Sequence, residues 1–194
     1  MSIRPYFLTF AVIWMLTFLI ANCATKPDTS SPPALKNYVS LELAYPKYQA
    51  ILQHLQQGIE RKLKSRGEAH ITVVTPPEFE ILKSKLSPAQ IHALAAGFLK
   101  KPISFEHVCL GQGKKKIKDQ IEQVFFIVVT SSELLQLRRA LTEEGHFNKT
   151  EFDPELFFPH ITLGFTDRDL YFEDGIIKNK AACPQKLQNL LVTE

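Results

Sequence analysis

Two strand-like segments, one in each half of the chain, carry the same tripeptide, and this repetition limits what the chain can fold into. The tripeptide His-Ile-Thr occupies residues 70–72 within the segment 69–74, and residues 160–162 within the segment 158–165. Side chains alternate between the two faces of a strand, so each His shares a face with its Thr while the Ile takes the other face. We therefore expect each strand to pack its apolar face and to present an imidazole beside a hydroxyl.

The same alternation assigns the neighbours of both tripeptides. It places Val74 on the face of the first His/Thr pair, and it places Leu163 and Phe165 on the face of the second Ile. One His-x-Thr in a strand is unremarkable, but two that share the middle Ile and a following apolar residue indicate a functional pair. The other histidines lack such a companion and are expected at the surface or in packing: His54, His92, His107 and His146.

A strand, a helix and a further strand recur in each half of the sequence. Hydrophobic spacing predicts strands at 38–43, 69–74, 103–110, 124–129 and 158–165, and helices at 47–64, 78–85, 88–98 and, after a cap at Ser131 or Ser132, up to about 144. Residues 103–129 read as a hairpin with Lys114 to Lys116 at its exposed tip, for which an acidic lipid surface is an alternative role. A chain of 194 residues with 45% apolar content supports one well-cored domain.

The first residues are typical of an export signal. Arg4 precedes an apolar run from Tyr6 to Ala21, and the run is too short for an ordinary membrane-spanning helix. Residues 19–23 resemble a bacterial lipobox in which Cys23 receives lipid, although Asn22 replaces the usual small residue. We expect a signal peptide or membrane anchor at 1–22, a flexible linker at 23–36 and the globular domain at 37–194.

The resulting expectation for location is an exported lipoprotein, attached to a membrane and facing the periplasm or the cell exterior. An uncleaved membrane anchor and a secreted soluble form are the alternatives. In an oxidising compartment Cys109 and Cys183 are able to form a disulfide, whereas the strand-like surroundings of Cys109 also suit a buried free thiol. The sequence leaves these two alternatives open.

The net charge and the side-chain chemistry of the tripeptides limit the chemical class of the ligand. The formal net charge of +3 is too small for a protein that grips long nucleic acid, so a small anion or a nucleic-acid end is the expected class of ligand. Two histidines that titrate near neutral pH can supply a base and an acid at the same time. Threonine hydroxyls can donate hydrogen bonds to phosphoryl oxygens.

These motifs resemble those of the 2H phosphoesterase superfamily, whose members act on 2′,3′-cyclic phosphates or 2′-5′ linkages. The resemblance covers residues 38–180, and three stretches are most similar to the Swiss army knife RNA-repair-like branch: 69–79, 108–111 and 158–170. It implies a bilobal α+β fold, with two pseudo-symmetric lobes of antiparallel strands and flanking helices, and one tripeptide contributed by each lobe.

The resemblance also implies a mechanism without a metal or other cofactor. One of His70 and His160 activates water, the other protonates the leaving ribose oxygen, and Thr72 and Thr162 hold the phosphate. The expected partners are a nucleotide or an oligonucleotide end as substrate and a membrane through the N-terminal lipid or anchor. We expect a monomer that binds no long nucleic acid.

Further assignments have alternatives. Tyr45 and Tyr48 are candidates for stacking on a base, and Lys178 or Lys180 for contacting phosphate, but all four also suit packing or a solvated surface. A metal hydrolase would use the two tripeptide histidines with Asp167 or Asp169 as ligands, although no clustered metal-binding motif is present. A non-catalytic nucleotide-binding or structural surface lipoprotein is the remaining alternative.

Overall fold

The two tripeptide strands lie side by side in the middle of one antiparallel sheet. The computed structural model describes residues 35–191. Its elements are β1 (Val39–Leu43), α1 (Tyr45–Gln56), β2 (Ala69–Val74), α2 (Pro76–Leu82), α3 (Pro88–Leu99), β3 (Glu106–Ile117), β4 (Gln120–Thr130), α4 (Ser132–Glu144) and β5 (His160–Phe165), followed by three short 3₁₀ segments between 172 and 191. The five strands follow the order β1-β2-β5-β4-β3, and all neighbouring pairs are antiparallel. The predicted α+β class and the order of its elements are confirmed.

The helices cover one face of this sheet. Their buried residues form the main core together with alternate residues of the strands, including the fully buried Ile71 and Ile161. These two isoleucines are Cα partners where β2 meets β5. A second, smaller cluster on the opposite face joins Val124, Phe126 and Leu170 near the outer strands. The remaining part of that second face belongs to the His and Thr side chains of both tripeptides.

Both tripeptide strands contain an irregularity at the same place. In β2 the pairing with β1 shifts so that Val73, directly after the first Thr, is the extra residue; in β5 the pairing with β4 shifts so that Leu163 is the extra residue. An extra residue interrupts the alternation of faces. Val74 therefore joins the main core, and Phe165 packs with the smaller cluster, so the strict alternation predicted for these two residues is wrong.

Gly164 follows the bulge of β5 at a point where two backbones approach. A Cβ atom at this position would lie 2.9 Å from the carbonyl oxygen of Lys64. The backbones of Lys64 and Phe165 exchange two hydrogen bonds, in each of which the N–H of one residue donates to the carbonyl of the other. Backbone atoms cannot move aside cheaply, so the position requires glycine. This pairing attaches the chain just before β2 to the end of β5.

Two predicted boundaries are wrong for local reasons. Helix α1 ends at Gln56 rather than near residue 64, because the Gln56 amide accepts from the backbone N–H of Leu63 (2.6 Å) and donates to the carbonyl of Ile59 (2.9 Å), which closes a turn. The hairpin of β3 and β4 is longer than predicted. Lys114 to Lys116 are paired within β3, and the tip lies at residues 118–119, where Lys118 has a φ of 55°.

A fully buried arginine fixes the loop that leads into β5. Arg138 of α4 is 1% exposed. Its guanidinium donates hydrogen bonds to one carboxylate and four backbone carbonyl groups, at 2.8 to 3.3 Å: Glu78, Val73, Asp153, Pro154 and Leu156. A buried cation is tolerated when its charge and its donors are all matched. Arg138 thereby links the end of β2, the start of α2 and the segment 153–156.

The open alternatives for the cysteines are decided in favour of a disulfide. Cys109 of β3 is bonded to Cys183, which is 74 residues away in sequence. The same C-terminal segment is held by Gln188, whose side chain donates to and accepts from the backbone of Leu110 (both 3.1 Å). Its residue Ile176 packs on the smaller cluster. The segment that follows β5 is therefore fastened to the far edge of the sheet.

The predicted signal or anchor at 1–22 and most of the predicted linker at 23–36 lie outside the described residues. Within residues 35–191, no helix combines the length and the apolar character needed to cross a membrane.

We predict that the Cys109→Ser/Cys183→Ser double variant loses about 4 kcal/mol of unfolding free energy, because closing a loop of this length restricts the unfolded chain by about that amount. Urea denaturation followed by circular dichroism measures the difference. A reductant should destabilise the unsubstituted protein similarly and leave the double variant unchanged. Equal stability of the two proteins without reductant would contradict this prediction.

Candidate active site

The four polar side chains of the two tripeptides line a single cleft of about 650 Å³, a volume in the range of small-molecule sites. All four are partly accessible. Ile71 lies opposite Ile161 in an antiparallel pair of strands. The antiparallel directions therefore place His70 opposite Thr162, and Thr72 opposite His160. Each imidazole thus stands near the hydroxyl of the other motif.

His160 has a defined tautomer. Its Nδ1 lies 2.8 Å from the carbonyl oxygen of Phe158, and since a carbonyl only accepts, Nδ1 carries the hydrogen. In the neutral ring the Nε2 atom is then free to accept a proton. Burial lowers the pKa of His160 to about 3, and the positive charge of Lys178 acts in the same direction. His160 is therefore unprotonated at neutral pH, with its Nε2 atom able to accept a proton.

His70 has an anionic neighbour instead. Its Nδ1 lies 3.5 Å from a carboxylate oxygen of Glu68, which precedes it by two residues, just before β2. An imidazolium at this position would be paired with that carboxylate. The surroundings of the two histidines therefore differ: His160 lies near a cation, and His70 lies beside an acid.

Behind the second tripeptide lies a buried group of charges. Asp169 and Lys178 are each 5% exposed and form a salt bridge of 2.9 Å. Lys178 Nζ also lies 3.4 Å from the hydroxyl oxygen of Thr162, and Arg66 donates to the second carboxylate oxygen of Asp169 at 3.1 Å. Burial lowers the pKa of Lys178 from its usual value, and the Asp169 carboxylate opposes that shift. Two cations therefore share one carboxylate at the wall of the cleft.

One wall of the cleft is apolar and aromatic. Phe172 is 57% exposed and its ring is nearly parallel to that of Phe158, with 6.5 Å between the centroids. Tyr171 is 47% exposed, and its hydroxyl is bonded to Arg66 (2.8 Å). Exposed aromatic faces beside polar groups are able to hold a flat ring by stacking.

A family model described as "Swiss Army Knife, 2H phosphoesterase domain" matches residues 37–171. The match covers both tripeptides and all five strands. The chain belongs to this 2H phosphoesterase family. No curated protein and no solved structure matches the chain. The family confirms the resemblance seen in the sequence and assigns the domain to phosphoester chemistry.

The two aromatic residues predicted to contact substrate lie elsewhere in this 2H domain. Tyr48 is buried in the main core, with its hydroxyl 3.3 Å from Nε2 of His107, and Tyr45 bonds Ser65 at 3.0 Å. Neither lines the cleft. Lys178, by contrast, does line the cleft. Tyr48 follows the apolar spacing of α1, which turns it toward the core.

The ligands that the metal-hydrolase alternative needs are not gathered in the 2H domain. Both carboxylate oxygens of Asp169 are bonded to cations, and Asp167 pairs with Lys64 on the exposed side. Among residues 35–191, one group of three potential metal-binding side chains has its ligand atoms within 4.8 Å of one another: Glu42, Glu68 and His70. That group includes neither the second histidine nor either aspartate.

Several cleft residues were missed by sequence reasoning. Glu68 and Phe158 each precede a tripeptide histidine by two residues, so strand alternation contains the signal that would have found them. Arg66 and Asp169 are brought together across 103 residues of sequence. No local pattern predicts that pairing.

We predict that His160 stays neutral from about pH 8 down to about pH 4, because burial and the nearby cations disfavour the imidazolium. Long-range ¹H–¹⁵N NMR spectra should show the hydrogen on Nδ1 throughout this range. Exposed His54, on the outside of α1, is the internal reference for a histidine outside the cleft. A His160 that becomes protonated within this pH range would contradict the prediction.

Proposed function

We propose that this 2H phosphoesterase domain is a metal-independent phosphodiesterase that hydrolyses a 2′,3′-cyclic phosphate or a 2′-5′ phosphodiester in a nucleotide or short oligonucleotide. The proposal rests on one observation: two neighbouring strands place two imidazoles, with different surroundings, and two hydroxyls in one cleft. Hydrolysis of a phosphodiester needs one group to take a proton from water and another to protonate the leaving oxygen.

The surroundings favour one assignment of the two roles. His160 Nε2 takes a proton from water, whose oxygen forms a bond to phosphorus. His70 gives its proton to the ribose oxygen as the bond between that oxygen and phosphorus breaks. The tautomer of His160, which leaves Nε2 free to accept a proton, supports its role as base, and the Glu68 carboxylate beside His70 is placed to pair with an imidazolium. Thr72 and Thr162 donate hydrogen bonds to the non-bridging oxygens.

The aromatic wall supports a nucleotide as substrate. Phe172 and Tyr171 are exposed and line the same cleft as the tripeptide residues, so they are available to stack on a base attached to the reacting ribose. These faces take over the stacking role that the sequence suggested for Tyr45 and Tyr48. Stacking tolerates any base, so we propose broad base preference.

We further propose that the domain acts outside the cytoplasm, attached to a membrane by lipid on Cys23. The disulfide between Cys109 and Cys183 supports this location, because such bonds persist mainly in oxidising compartments. Extracytoplasmic cyclic nucleotides or short oligonucleotides are the substrates that fit such a location.

We predict that the purified protein hydrolyses 2′,3′-cyclic nucleotides or 2′-5′-linked dinucleotides in EDTA. His70→Ala and His160→Ala should each lower kcat/KM by about 10²- to 10⁴-fold, because each removes a proton-transfer group. Chromatography of the products measures the rate and identifies the phosphate position.

His54→Ala is the matched control, since His54 is exposed and lies outside the cleft, and it should keep full activity. Circular dichroism checks that all three variants are folded. Full activity in either tripeptide variant, or loss of activity in EDTA that zinc restores, would overturn the proposal. Binding of nucleotide without turnover would instead favour the non-catalytic alternative.

We predict that Cys23→Ala abolishes labelling by radioactive palmitate and releases the protein from membranes of a bacterium that processes lipoproteins. Lipid on the cysteine is the expected anchor, so its loss should leave the protein in the soluble fraction. Membrane attachment that persists in this variant would point to an uncleaved anchor. Secretion of the unsubstituted protein would contradict both the lipid on Cys23 and the uncleaved anchor.

A further inference from the structure

The two tripeptides are equivalent in the sheet but not in their surroundings. Thr162 has an ammonium group next to it, because Lys178 Nζ lies 3.4 Å from its hydroxyl oxygen. Lys178 comes from the segment that crosses the cleft wall after β5, and this segment has no counterpart after β2, where α2 begins at once. The second motif is thus supplemented by a charged residue from outside the strand.

The hydrogen-bond geometry fixes what Thr162 can do. An ammonium group only donates, so the Thr162 oxygen accepts from Lys178. The hydrogen of the Thr162 hydroxyl is then left for another acceptor, and the side chain lines the cleft. Lys178 has two further N–H bonds beside the one to Thr162, and one of them is used by Asp169 (2.9 Å). The remaining N–H bond is available to a ligand.

The charges at this wall do not cancel. Lys178 and Asp169 are almost completely buried, and their charges compensate each other. Arg66, which also bonds Asp169, adds a positive charge on a side chain that is 39% exposed. The three residues together therefore carry one excess positive charge, although the cleft lining also includes the carboxylates of Glu68, Glu78 and Glu173. A phosphodiester oxygen beside Thr162 would meet the Lys178 ammonium directly, in a charge-assisted hydrogen bond.

We propose that Lys178 is a further catalytic residue, which contacts a non-bridging oxygen of the phosphate and directs the Thr162 hydroxyl toward the same group. Asp169 and Arg66 are positioning residues in this arrangement, since they fix the ammonium without touching the phosphate. The proposal rests on the proposed phosphodiesterase function and adds to it the group that stabilises negative charge as water attacks.

A purely structural role for Lys178 has a different consequence. Its segment is held independently by the disulfide at Cys183, and Asp169 keeps Arg66 as a partner if the lysine loses its charge. The side chain also lies over the rings of Phe126 and Tyr171, at 5.6 and 5.7 Å from their centroids. Methionine retains the length and the apolar contacts of lysine, so Lys178→Met should remain folded.

The test compares the full chain with Lys178→Met and with the control Lys180→Met, an exposed lysine two residues away that lies outside the cleft. Turnover of 2′,3′-cyclic AMP in EDTA should fall by about 10²- to 10³-fold in kcat/KM for Lys178→Met, the usual effect of removing one such donor. The loss should lie mainly in kcat. The control should match the unsubstituted protein.

The pH profile separates a charge effect from a packing effect. His160 is faced by Lys178, Arg66 and His70, and removing the first of these charges should move the acid-side loss of activity to higher pH. Lys178→Arg keeps the charge and should keep the acid limb in place, with part of the activity restored. Unchanged kcat/KM in Lys178→Met, or a loss with no shift of the acid limb, would overturn the proposal.

Calorimetric measurement of adenosine 2′-monophosphate binding distinguishes a failure of the role proposed for Lys178 from a failure of the proposed phosphodiesterase function. If the unsubstituted protein binds this nucleotide but has no turnover, the proposed function fails, and weaker binding by Lys178→Met still supports the phosphate contact. Equal binding by the two proteins would overturn it. Should Lys178→Met fail to fold by circular dichroism, Lys178→Gln, which also removes the charge, takes its place in the same comparisons. Absence of binding and turnover in the unsubstituted protein contradicts both proposals.

Discussion

The contact between Ile71 and Ile161 is the constraint on which the site depends. Both side chains are fully buried, and their Cα atoms are partners where the two tripeptide strands meet. Burying each isoleucine contributes roughly 2 to 3 kcal/mol, so the register that buries both is strongly preferred. A slip of one residue would turn both isoleucines outward and both histidines into the core. The same burial that stabilises the sheet therefore presents the catalytic side chains.

The two halves also share the departure from regular pairing. Each strand has its extra residue directly after the Thr of the tripeptide, at Val73 and at Leu163. Such a bulge increases the local twist and bends the strand. Its repetition in both strands means that the cleft is framed alike on its two sides, as the pseudo-symmetry of the family implies. The differences between the two sides then come from segments outside the strands.

Strand alternation predicted much of the site because the tripeptides are short and regular. The buried isoleucines and the common face of each His/Thr pair follow from it, whereas the meeting of the two pairs in one cleft was implied by the resemblance to the 2H phosphoesterase family. The bulges were not predicted, since the register of β2 and β5 depends on β1 and β4. The end of α1 was not predicted either, because a side-chain hydrogen bond of Gln56 closes the turn. Pairings across long stretches of sequence, such as Arg66 with Asp169, leave no local pattern.

Electrostatics then distinguish the two histidines. Burial and neighbouring cations keep His160 neutral, while a carboxylate accompanies His70. Asp169 bonds both cations at the wall and so reduces the repulsion between them. One cleft therefore contains a base, an acid partner and an ammonium group beside Thr162. The chain's own residues thus fit the chemistry of phosphodiester hydrolysis.

A crystal structure of the protein grown with adenosine 2′-monophosphate in the presence of EDTA tests most directly whether both tripeptides act on one phosphate. We expect the phosphate to lie between the two imidazoles, with its oxygens at about 3 Å from His70, His160 and both threonine hydroxyls. We expect the base to lie against the ring of Phe172. A nucleotide bound elsewhere, or a phosphate that contacts only one of the two tripeptides, would contradict the shared action of the two tripeptides.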